Sequence, residues 1–138
     1  MDKLENFSKC LSILKNADFK FAEENDIYRT GVIGQFNLTF ELAWKALQAI
    51  MRLHHVTESL TGSPREILQH GYKIGFIQDA SVWLAMLNHR NVSAHIYDED
   101  KVDEMLLLIH DSFIPALITL EKTLREKLDD LVNDKWEK

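Results

Sequence analysis

The sequence predicts an all-α fold, an antiparallel up-down bundle of four to five helices. Three observations predict it. Apolar residues recur in steps of three and four along most of the chain, no segment alternates in the two-residue period of a strand, and helix start and stop residues punctuate the pattern. No internal repeat, low-complexity tract or Pro/Gly/Ser-rich linker divides the 138 residues, so a single helical domain over 1–138 is expected.

Leu4, Phe7, Leu11, Leu14, Ala17 and Phe21 form the first stripe and predict one helix. Ile33, Phe36, Phe40, Ala43, Trp44, Leu47, Ile50 and Met51 predict a long second helix that persists to about His55. Gly31 and Gly34 weaken its first turns by about 0.5–1 kcal/mol each relative to Ala, unless a close helix contact uses their missing side chains. The pattern therefore leaves its start open. Ser63 as N-cap, Pro64 at the first helical position and Glu66 in capping-box register begin a short third helix, which stops between Gly71 and Gly75. Asp79 is expected to cap a fourth helix through Val82, Trp83, Met86 and Leu87 toward Arg90. The last stripe is the longest, running through Val102, Met105, Ile109, Phe113, Ala116, Leu117, Leu120, Leu124, Leu128 and Leu131. The acidic run Asp98-Glu99-Asp100 suits its N-terminus. Pro115 removes one backbone donor inside this stripe, so a kink near Asp111 to Pro115 is expected rather than two helices.

The composition, 46% hydrophobic and 28% charged, is that of an ordinary globular protein. Cys10 is the single cysteine, so no intrachain disulfide is available and a reducing, cytoplasmic setting is expected. The first residues mix charges without an apolar core, unlike a secretory signal, and the strongly apolar stretch from Met105 to Ile109 is far too short to span a bilayer. No membrane partner is expected. The net charge of −6 repels phosphate backbones at long range, so any RNA contact must be local.

Strands and a Gly-Ser phosphate loop are both missing, which argues against the chain being a nucleotidyltransferase itself. The most suggestive segment for chemistry is Arg90-Asn91-Val92-Ser93-Ala94-His95-Ile96-Tyr97. A guanidinium offers a planar set of donors to phosphate oxygens, and an imidazole, with a reference pKa of about 6.5, gives and takes protons near neutrality. The pair suits phosphodiester cleavage. Five residues along an unbroken helix place two side chains about 140° apart. Arg90 and His95 therefore converge only if the helix ends between them or a second subunit contributes. A plainer reading has Arg90 balancing a helix C-terminus and His95 lying in a turn. Trp44 and Trp83 read as core, Glu41 and Lys45 as an i,i+4 ion pair, and Asp98 with Asp100 as a helix start rather than a metal site. His54, His55, His70, His89 and His110 lack zinc-ligand spacing, so neither metal nor cofactor is expected.

Arg90-x4-His95-x-Tyr97, with Asn91 directly after the arginine, resembles the signature of HEPN domains. Phe40-Glu41-Leu42-Ala43-Trp44-Lys45 and Ser63-Pro64-Arg65-Glu66 resemble the F-E-L-A-W-K and S-P-R-E blocks of one branch, the nucleotidyltransferase substrate-binding proteins. Trp83, Met86 and Leu87 before Arg90 extend the likeness along nearly the whole chain. One departure stands before the first block, where Gln35-Phe36-Asn37 replaces an expected Arg-Phe-Glu. The resemblance implies a homodimer about a two-fold axis, with the Arg and His pairs sharing one cleft. It further implies a metal-independent ribonuclease in which His95 is general acid or base, Arg90 stabilises the phosphorane and Asn91 orients one of them. Some relatives are toxins paired with a separate minimal nucleotidyltransferase that adenylylates the motif tyrosine, here Tyr97. An alternative is a non-catalytic subunit that presents nucleotide or another substrate to that transferase, with Arg90, His95 and Lys45 as ligands. Glu41 and Arg65 are further candidate contacts.

Overall fold

The computed structural model describes residues 1–56, 62–90 and 99–137. Their helices are α1 (Asp2–Lys15), α2 (Phe19–Glu24), α3 (Asp26–Leu53), α4 (Pro64–Lys73), α5 (Ala80–His89), α6 (Glu99–Leu108) and α7 (Ile114–Glu137), with a π-helical turn, Ile109–Phe113, joining the last two. The expected helical bundle is observed.

Contacts between helices fix their directions. The Gln35 side chain donates to the Cys10 carbonyl at 3.0 Å and the Asp18 N–H donates to the Tyr28 hydroxyl at 2.7 Å, so α1 and α3 are antiparallel. Phe36 stacks on Phe113, with centroids 5.1 Å apart, and His54 Nε2 donates to the Lys127 carbonyl at 2.9 Å. The α6–α7 rod therefore runs parallel to α3. The α4–α5 arm returns between them, from Phe76 beside His54 to Trp83 beside Phe40. The result is an up-down-up-down bundle whose core carries Phe7, Phe36, Phe40 and Phe113, all fully buried. Each such side chain contributes about 1.5–3 kcal/mol by leaving water.

The first stripe does not form one helix. α1 closes at Lys15, where Asn16 Nδ2 donates back to the Ser12 carbonyl, and Asp18 caps a separate α2 by accepting from the Phe21 N–H at 2.9 Å. Phe21 is 43% exposed and packs edge-on against Tyr28 instead of continuing the core. The second helix starts earlier than the apolar pattern, at Asp26, because Asn25 accepts from the Tyr28 N–H at 2.8 Å. Gly31 and Gly34 lie inside it, and an added Cβ at either would meet nothing within 4 Å. No close contact among the described residues therefore uses them.

The C-terminal ends of α3 and α4 close in the same way. At the close of α3 the Val56 N–H bonds to the Met51 carbonyl and the His55 N–H to that of Arg52, with His55 at φ 61°. At the close of α4 the same pair of bonds, Phe76 to Gly71 and Gly75 to Tyr72, uses Gly75 at φ 85°. Ser63 Oγ accepts from the Glu66 N–H, as its register predicts. Asp79 takes the N-cap position of α5, but its side chain makes no capping bond. Where the sequence predicts a kink, the chain makes a π-helical turn that ends two residues before Pro115, which has no N–H to give. Asp98 lies outside the described residues. No helix among the described residues is long and apolar enough to cross a membrane.

Candidate functional site

α5 ends at His89, and Arg90 is its C-cap residue, bonded through its N–H to the Met86 carbonyl at 3.0 Å. The cationic side chain thus lies at the negative end of the helix dipole. Asn91, His95 and Tyr97, the rest of the motif, lie outside the described residues.

What holds Arg90 comes from α3. Its Nη1 donates to Glu41 Oε1 at 3.0 Å, and the other oxygen of the same carboxylate, Oε2, accepts from the Trp44 indole N–H, also at 3.0 Å. Glu41 and Trp44 share a helix face because they are three residues apart. Lys45 Nζ lies 5.7 Å from the centroid of the Trp44 ring. The expected Glu41–Lys45 ion pair is therefore replaced: Glu41 is engaged by Arg90 and Trp44, and Lys45 lies over the indole. The Arg90 side chain is 27% exposed and that of Glu41 38% exposed, so the pair meets solvent without being immersed in it. A guanidinium has five N–H donors, and the bond to Glu41 uses one of them. Such an arrangement is a charged donor held in place, able to meet an anionic ligand.

Beneath this corner lies an aromatic layer. Phe40 is 6.1 Å from Trp83, Phe36 is 5.1 Å from Phe113, and the His89 ring is 6.0 Å from that of Phe113. Trp83 is core, as expected, whereas Trp44 is only partly buried and has a polar partner. Of the remaining candidates, Arg65 is exposed on the first turn of α4 and shares none of the contacts that join Glu41, Trp44, Lys45 and Arg90. The two residues that depart from the expected block behave differently. Gln35 ties α3 to α1, while Asn37 Oδ1 is buried with no hydrogen-bond partner among the described residues.

Two grooves lie elsewhere. One of about 570 Å³ sits between the α4–α5 connection and the start of α7, the other of about 640 Å³ between α2 and α6, and neither is lined by Arg90 or Glu41. Among the described residues no three His, Cys, Asp or Glu side chains gather as a metal-ligand set.

Known proteins resemble this chain along most of its length. It is 28% identical over 104 residues, 74% of this chain and 70% of the relative, to a Haemophilus influenzae protein named probable ribonuclease HepT. A solved Haemophilus influenzae structure, described as revealing the fold of a substrate-binding domain of a nucleotidyltransferase, superposes with a TM-score of 0.74 at 22% identity. That superposition covers 88% of this chain and 98% of the other. A protein from Thermus thermophilus superposes with a TM-score of 0.63 at 25% identity, over 91% and 98% of the two chains. Residues 2–126 match the family described as nucleotidyltransferase substrate binding protein like, so the chain belongs to that family, the HEPN branch its Arg90 motif and helical bundle indicate.

Proposed function

We propose that the protein is the companion subunit of a separate nucleotidyltransferase and acts, as a homodimer, as a metal-independent HEPN-type ribonuclease. The observation that carries this reading is Arg90, fixed by Glu41 at the end of α5 and directly preceding the remainder of the motif. The name of the Haemophilus influenzae relative, a probable ribonuclease, supports it.

In the proposed reaction the 2′-hydroxyl of RNA attacks the neighbouring phosphorus. Its proton passes to a base, and the departing 5′-oxygen takes up a proton. His95 serves one of these transfers, Arg90 faces the negative charge on the phosphorane oxygens, and Asn91 orients one of the two. Tyr97 is the proposed adenylylation site for the partner. An added phosphodiester there brings negative charge that competes with RNA for Arg90, which would make the pair a toxin and its antitoxin.

The test is growth after induction of wild-type protein and His95→Ala, each with and without the nucleotidyltransferase. Arrest only by the unpartnered wild type is expected. If neither protein slows growth although both accumulate folded, the ribonuclease reading fails, and the non-catalytic substrate-binding role stands in its place. Intact-mass spectrometry after incubation with ATP and the partner is expected to show an added adenylate that Tyr97→Phe abolishes.

A further inference from the structure

Trp44 has a contact that neither the apolar stripe nor the motif requires. Packing alone accounts for its ring, which lies partly buried against the core. Packing does not account for the indole N–H, which donates to Glu41 Oε2 while Glu41 Oε1 accepts from Arg90. A glutamate side chain turns about three bonds, and one donor restrains only one of its oxygens. Two donors on opposite oxygens fix the plane of the carboxylate, and with it the direction from which Arg90 Nη1 must approach. Tryptophan is suited to this task because its donor sits on a rigid ring with two side-chain torsions. Lys45, over the ring, adds a second restraint on the same indole.

We propose that Trp44 is a positioning residue, acting through Glu41 to hold the Arg90 guanidinium in the orientation that receives a phosphate group. The proposal rests on the reading of Arg90 as the phosphate-binding residue of this site.

The experiment is a double-mutant cycle on RNA cleavage, using a fixed fluorogenic oligoribonucleotide. Trp44→Phe keeps an aromatic ring and removes the N–H. Glu41→Gln keeps the shape but leaves one carbonyl oxygen, which cannot serve both donors equally. Each single change is expected to lower kcat/KM about five- to tenfold with thermal unfolding nearly unchanged. Trp44→Phe in the Glu41→Gln background is expected to add less than twofold, because both act along one path. A residue that matters only for packing gives independent, multiplying losses, and that result overturns the proposal, as does full activity of Trp44→Phe. If the wild type cleaves no RNA, the ribonuclease reading falls by itself, and the cycle is then read on ATP affinity, where Arg90 has the same phosphate to meet. Absence of ATP binding, or of coupling in it, overturns the role of Trp44.

Discussion

Two neighbouring regions of α3 are built on opposite principles. On the inward face of α3 the rings of Phe36 and Phe40 are fully buried and pack against Phe113 and Trp83 from other elements. Beginning at the next residue, Glu41, Trp44 and Lys45 face a half-exposed corner, where polar and charged contacts join the partly buried Trp44 ring. The rings of the first region stabilise, since Phe36, Phe40 and Phe113 have no donor or acceptor to exchange. The second contributes little to stability, because solvent-exposed charges gain little from pairing, yet it can trade a protein partner for a ligand. On the proposed function, stability and recognition are separated along a single helix, and substitutions can test how complete that separation is.

The largest effect is expected in the aromatic layer. Phe36→Ala removes a fully buried ring from contact with Phe40 and Phe113 and is expected to destabilise the fold by about 3–5 kcal/mol, lowering Tm on the order of 10 °C. Calorimetry checks it, and a loss under about 1 kcal/mol would mean that the layer repacks freely. Glu41→Gln reverses the balance. It leaves packing intact and is expected to change stability by only about 0.5–1 kcal/mol while lowering phosphate-dependent activity several-fold. Urea unfolding beside an RNA-cleavage assay reads both quantities. A stability loss as large as that of Phe36→Ala would dissolve the distinction between the regions.

The core is far more legible in the sequence than the corner. Phe36, Phe40, Trp83 and Phe113 can be read because burial imposes a period, and the period survives in the order of residues. Pro115 is equally readable, since a missing N–H acts locally whatever surrounds it. The break at Asn16 to Asp18 is hidden because Ala17 and Phe21 keep the step of the stripe across it. Its signal lies in Asn16, Asp18 and Asn25, three capping residue types close together, but capping competes with periodicity and the period looks unbroken. At the corner, Arg90 stands out through its motif, whereas its anchor, Glu41, is 49 positions away in the chain. No local pattern joins residues across two helices. The i,i+3 spacing of Glu41 and Trp44 is visible, yet the same stretch also fits a plain i,i+4 pair of Glu41 with Lys45, and geometry alone decides between them.

Lys45 provides the smallest expected effect and the finest test of the contrast. Its ammonium lies over Trp44 at 5.7 Å, on an exposed part of α3, where a cation–π contact contributes about 0.5–1 kcal/mol. Lys45→Met keeps the length of the aliphatic stem and removes the charge, so the stability change is expected near the lower end of that range and to shrink further in high salt. Urea titrations at low and high ionic strength measure it. If Lys45→Ala, which also shortens the stem, instead loses more than about 1.5 kcal/mol and salt leaves the loss unchanged, Lys45 stabilises through its stem. The corner would then extend the core rather than stand apart from it.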